Sequence, residues 1–109
     1  MIQGGDRLGS GGGGPGYKFG GEKGTLKHDG PGVLAYANSG ANTDGSQFYI
    51  TEVATPHLDA DYSVFGKVSV GVEIVSEITG VDRDANDKPL VPVMLKKVEI
   101  FRSKTVPTN

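Results

Sequence analysis

The chain has 109 residues, 36% of them hydrophobic and 22% charged, with a net charge of −2 and no cysteine. That length suits one domain with a modest core. The missing cysteines exclude a disulfide framework, a thiolate zinc site and a thiol nucleophile. No apolar run approaches a membrane span, and the weakly acidic balance argues against nucleic acid as the main partner. Met1–Asp6 lacks the basic and apolar regions of a secretory signal, so the expected location is cytoplasmic, with no membrane partner.

In chain order, the first feature is glycine: 13 of the 18 glycines lie within the first 32 residues, including the run Gly11–Gly14. Glycine loses the most conformational entropy on ordering, so residues 4–32 read as a long surface loop or a linker, not core. Val33–Asn38 reads as a strand, with Leu34 and Tyr36 on one face and Val33, Ala35 and Ala37 on the other. Gln47–Thr51, aromatic and β-branched after Asp44-Gly45, reads as the next. Thr55–Asp59 is a short turn with Pro56 where a first helical turn accepts it. Tyr62–Val68 reads as a strand with Gly66 as a bulge or close-approach point. Gly71–Thr79 is the one helical segment, its Val72, Val75 and Ile78 at three-residue intervals and Gly80 as its stop. Val93–Arg102 alternates as a terminal strand, cleanest at Val98 and Ile100. Ser103–Asn109 is a polar tail, expected to fray. Several strands, one helix near 71–79 and a glycine-rich loop predict a mostly-β barrel or sandwich.

Charge is unevenly spread. Residues 1–43 carry a net +1, residues 44–87 a net −7 and residues 88–109 a net +4. The acidic middle reads as a solvated face with loops. Lys96, Lys97, Arg102 and Lys104 straddle the terminal strand pattern and decorate its wet face.

Few motifs survive scrutiny. Gly9-x-Gly11-x-x-Gly14 matches a dinucleotide fingerprint only because consecutive glycines generate it; no βαβ unit surrounds it. His28 and His57 lack the spacing of metal ligands and read as surface or loop histidines. Ser46, His57 and Asp59 can be combined on paper into a hydrolytic triad, but no nucleophile elbow accompanies them. Gly40–Thr51 is richer, with Asn42, Thr43, Asp44, Ser46 and Gln47 preceding an aromatic strand. A turn leading into a strand explains these residues. So does a groove with an apolar floor and an amide-bearing rim, which suits an extended peptide.

Four blocks, MIQGGD at 1–6, GPGYKF at 14–19, LKHDGPGVLAYANSGANTDGSQFYIT at 26–51 and HLDADYSVFGKV at 57–68, together resemble the cyclophilins, which are peptidyl-prolyl cis-trans isomerases. The resemblance runs from Met1 to about Arg102. It implies a cyclophilin-like antiparallel β-barrel, in full an eight-stranded barrel capped by two helices. It also implies that the first two strands, the first helix and most of the third strand lie before Met1, whether by loss or by a start assigned to an internal methionine. The expected organisation is thus a truncated, incomplete barrel domain at 1–102, containing the loop at 4–32, and a tail at 103–109.

The same resemblance implies a site. Met1, Tyr49 and Leu58 would line a proline pocket, and Gln3 would orient a catalytic arginine and contact substrate. Asn38 would hydrogen-bond the substrate backbone with Ala37 and Ser39 beside it, Gln47 would shape the groove, and Gly11 would lie along its side. Tyr49 stands where phenylalanine is usual, so its hydroxyl needs water or a partner. His57 stands where many members have tryptophan, which implies weak binding of a cyclosporin-type ligand. Tyr62 stands where histidine is common and would form an aromatic wall. The catalytic arginine and a pocket phenylalanine belong to the segment before Met1, and Arg7 follows the motif on the wrong side. No metal or organic cofactor is implied. The implied partners are proline-containing peptides and unfolded proteins. An opened barrel exposes strand edges, which predicts self-association into a homo-oligomer or a marginal fold.

Overall fold

The computed structural model describes residues 1–105. Four short strands, β1 (Ile2–Gly4), β2 (Val33–Tyr36), β3 (Phe48–Ile50) and β4 (Val64–Lys67), form one antiparallel sheet in the order β1-β3-β2-β4. A 3-10 turn, Pro56–Leu58, and one helix, α1 (Glu73–Thr79), complete the regular structure. This is the mostly-β, one-helix architecture expected for an incomplete cyclophilin barrel: the sheet is open, with β1 and β4 at its edges. No helix among the described residues is long and apolar enough to cross a membrane.

Alternation decides which side chains are covered. In β2, Val33 and Ala35 are buried, and in β3 Tyr49 is buried; with Val75 of α1 they make up the apolar core. Tyr49 lies opposite Gln3 on one side and Ala35 on the other, so these three share a face. On the opposite face Tyr36 stacks on Phe65 at 4.2 Å, and Phe19 meets Tyr36 edge-on at 5.2 Å. The Phe19 contact and its two backbone hydrogen bonds with Asp44 tie the glycine-rich loop to the sheet.

Two glycines are required by geometry. Gly32 (φ +82°) opens β2, and a Cβ there would come within 3.2 Å of Val68 and 3.1 Å of Val72. Gly5 (φ +90°) ends β1, where a Cβ would collide with the Ser46 carbonyl. Thr51 locks the corner at Gly32: its hydroxyl donates to the Gly30 carbonyl (2.7 Å) and accepts from the Val33 N–H (3.0 Å). The irregularity expected near Gly66 is present. Leu34 pairs with Gly66 and Ala35 with Val64, leaving Phe65 bulged, while Gly66 lets the Leu34 side chain approach closely.

One expectation of the fold requires correction. Val93–Arg102 forms no strand; its apolar residues are exposed, with Ile100 94% and Phe101 70% accessible. An alternating pattern becomes a strand only where a neighbour supplies hydrogen bonds and a face, and no strand of the described residues pairs with it. Gly80 closes α1 as expected, its N–H reaching the Ser76 carbonyl (3.2 Å) at φ −84°. Of the tail at 103–109, residues 106–109 lie outside the described residues.

Candidate functional site

A groove of about 150 Å³ opens where β1 and β3 meet the glycine-rich loop. Gln3, Ala37, Asn38, Ser39 and Gln47 line it together, which unites five of the residues expected at a peptide site. Gly12–Pro15, Tyr17 and Lys18 form its loop wall, and Thr43, Gly45 and Ser46 close the far side.

The polar groups of this groove are ordered. The Gln3 Nε2 donates to Gln47 Oε1 (2.9 Å), and Gln47 Nε2 donates to the Gly11 (3.0 Å) and Gly13 (2.8 Å) carbonyls. Gly11 is therefore a hydrogen-bond partner of Gln47 behind the lining. Across the groove, the Asn38 amide donates to the Asp61 carbonyl (3.0 Å) and accepts from the Gly40 N–H (3.2 Å). Among the described residues nothing accepts from the Asn38 backbone N–H, immediately beyond β2. The Ser39 N–H is held by the Thr43 hydroxyl (2.8 Å), which in turn donates to the Gly40 carbonyl (2.7 Å).

The loop wall is shaped by one carboxylate. Asp6 accepts from the N–H groups of Leu8 (2.9 Å), Ser10 (3.0 Å), Gly11 (2.7 Å) and Gly13 (3.1 Å). Those bonds, that from Leu8 foremost, hold its pKa below the ordinary carboxylate value.

Tyr49, Leu58, His57 and Tyr62 lie outside this groove, by the 3-10 turn. Tyr49 sits beneath the surface with its ring edge-on to Tyr62 (5.7 Å); Leu58 and Tyr62 are half-buried, while His57 and Met1 are exposed. The Tyr49 hydroxyl has the partner it needed, the Nε2 of His28 at 2.5 Å. His28 is fully buried, not a surface or loop histidine. Its Nδ1 meets Asp59 Oδ1 at 2.7 Å, and its backbone N–H meets the same oxygen at 2.7 Å. Asp59 thus belongs to His28, and the paper triad with Ser46 and His57 is not assembled.

The electrostatics fix the direction of this relay. The backbone N–H and then the imidazole of His28 lower the Asp59 pKa, so Asp59 is the ionised acceptor. Nδ1 therefore carries the proton, and in the neutral ring Nε2 accepts from the Tyr49 hydroxyl. Burial, followed by the nearby Tyr62 and Asp59, pushes the Tyr49 phenol above its ordinary pKa, which keeps it a donor.

The sequence pattern does not single out Asp6 or Lys18, and it offers His28 and Asp59 only in other roles. Asp6 carried one signal, a carboxylate followed by a run of glycines whose N–H groups have no side chains to shield them. His28 and Asp59 are 31 residues apart and carried none. No group of three or more His, Asp or Glu among the described residues could hold a metal ion.

A family profile described as "Cyclophilin type peptidyl-prolyl cis-trans isomerase/CLD" matches residues 1–100. The chain belongs to that family. Peptidyl-prolyl cis-trans isomerase A of Mycobacterium tuberculosis is 46% identical over 103 residues, covering 92% of this chain and 57% of that protein. Peptidyl-prolyl cis-trans isomerase-like 2 of Rhizopus delemar is 46% identical over 105 residues, covering 93% of this chain and 20% of that protein. The crystal structure of a Cryptosporidium parvum cyclophilin type peptidyl-prolyl cis-trans isomerase superposes with a TM-score of 0.78 at 39% identity, covering 83% of this chain and 60% of the other. A structure of the same protein in the presence of the dipeptide Ala-Pro gives a TM-score of 0.76. The chain thus spans 57% of the mycobacterial relative's length and 20% of the fungal one's.

Proposed function

We propose that this chain holds Xaa-Pro segments of extended or unfolded polypeptides in the Gln3–Asn38–Gln47 groove and speeds their cis–trans isomerisation, assisting folding. The observation that carries this reading is the ordered pair of amides, Gln3 donating to Gln47, opposite the unpaired Asn38 N–H. An extended peptide offers alternating donors and acceptors that match such a rim.

Isomerisation needs no bond to be made or broken. The barrier is about 18–20 kcal/mol because amide resonance must be lost. Groups that hold the twisted bond better than either planar form lower it. In this groove Gln3, Gln47 and the Asn38 backbone would fix the chain on either side of the bond. Leu58, Tyr62 and Met1, outside the groove lining, would receive the proline ring above the buried Tyr49, with Ala37 and Ser39 flanking the path. Exposed His57 offers a smaller surface than an indole, which supports only weak binding of a cyclosporin-type ligand.

A second reading, binding without turnover, is favoured by one observation: the cation lining the groove is Lys18, and no arginine among the described residues lines it. Losing a donor that acts in the transition state typically costs about 100–1000-fold in rate. Exchange NMR on an Ala-Pro peptide separates the two readings. Faster cis–trans exchange supports isomerisation, shifts without faster exchange support binding alone, and neither effect with folded chain refutes both. The open sheet edges and the exposed apolar residues within Val93–Phe101 further support self-association of the isolated chain.

A further inference from the structure

The order of the two glutamine amides has an identifiable origin. Gln47 Nε2 has two hydrogens, and the Gly11 and Gly13 carbonyls take both, at 3.0 and 2.8 Å. Its Oε1 must then face the other way, where Gln3 Nε2 donates to it at 2.9 Å. That in turn commits one hydrogen of the Gln3 NH₂ to Gln47 and fixes the directions of its second N–H and its Oε1. The chain of constraint therefore begins at the two glycine carbonyls.

A run of four glycines has little conformational preference of its own. What holds Gly11 and Gly13 is Asp6: its Oδ2 accepts from both of their N–H groups, at 2.7 and 3.1 Å, and from Ser10. Its Oδ1 accepts from Leu8. Four backbone donors on one carboxylate are charge-assisted bonds, about twice as strong as neutral ones.

We propose that Asp6 is a positioning residue for the groove: it shapes the glycine run, the glycine carbonyls orient the Gln47 amide, and Gln47 fixes the orientation in which the Gln3 amide meets the ligand. The groove then offers a peptide backbone an acceptor oxygen and one remaining N–H in fixed directions. The part concerning ligand rests on the peptide-binding reading above; the ordering of the amides does not.

The test uses the ¹⁵N-labelled chain with Asp6→Ala, Asp6→Asn and, as a control on the same loop, Leu8→Ala. Asparagine keeps the size of Asp6 and one acceptor oxygen, but it loses the charge and turns its NH₂ toward a backbone donor that the carboxylate satisfies. The side-chain amide signals of Gln3 and Gln47 are followed, together with a titration by a blocked Ala-Pro peptide. Both Asp6 variants are expected to move the two amide pairs to free-amide positions and to weaken the peptide about tenfold, as lost charge-assisted bonds would. Leu8→Ala, which keeps its backbone N–H on Asp6, leaves both readouts unchanged. Unmoved glutamine amides in a folded Asp6 variant would overturn the proposal. So would unfolding of both Asp6 variants while Leu8→Ala folds, because Asp6 would then serve the fold and not the groove. If the parent chain binds no peptide, the function reading fails, while the amide signals still decide the role of Asp6.

Discussion

Tyr49→Phe removes a single oxygen and tests the buried relay. Tyr49 is 1% exposed and His28 0%, so water cannot replace the lost hydroxyl at Nε2. A buried acceptor left without its donor costs about 1–3 kcal/mol. For a two-state domain of this size, total stability is about 5–15 kcal/mol, so a loss near 2 kcal/mol is a large share and lowers Tm by about 8–16 °C. The control is the same substitution in a His28→Leu background. There the ring nitrogen is already gone, Asp59 keeps 23% side-chain exposure to rehydrate, and phenylalanine suits the apolar surroundings. Tyr49→Phe should therefore cost below about 1 kcal/mol in that background, a coupling within the range of contacting pairs. Urea unfolding followed by circular dichroism at pH 7 reads all four corners. An equal cost in both backgrounds would refute the pairing. Peptide affinity should stay nearly unchanged in Tyr49→Phe, because the hydroxyl points away from the groove into His28.

Acid should loosen the site. Asp6 and Asp59 both titrate below 3.8 in the folded chain, so their stabilisation is complete above the unfolded value and is lost as pH falls through the folded ones. The Gln47 side-chain amide signals should hold down to about pH 4 and move only below it; movement near pH 6 would refute the carboxylate's role. Gly32→Ala should lower stability by more than 1 kcal/mol, since it imposes φ +82° on a side chain already crowded by Val68 and Val72; an unchanged urea midpoint would contradict the geometry of that corner. Sedimentation of the isolated chain should show species above the monomer, reduced by Ile100→Lys with Phe101→Lys. A compact monomer at high concentration would remove the self-association proposal.

How much was legible depended on the range of the interaction that fixes each feature. β2, β3, β4 and α1 rest on alternation or three-residue spacing within a few residues, and each formed within two or three residues of its expected bounds. The terminal pattern Val93–Arg102 is as regular, yet a strand's existence is a property of its neighbour, and none pairs with it. The site divides in the same way. Gln3, Asn38 and Gln47 could be placed because four sequence blocks resemble one family. His28 could not, since its role depends on Asp59 and on a hydroxyl at position 49 brought to it by a different strand.

That difference explains why His28 was misread. A histidine alone in a glycine-rich stretch is most often exposed, because burying an imidazole unpaired is costly. Here both ring nitrogens are satisfied, one by a carboxylate and one by a phenol, and the penalty is removed. The exchange of phenylalanine for tyrosine at position 49 is thus compatible with burial only because His28 lies behind it. Read in the other direction, a buried tyrosine where the family usually keeps phenylalanine requires a polar partner in the core. With Trp and Cys absent from the chain and one of its two histidines exposed, His28 was the imidazole that could serve.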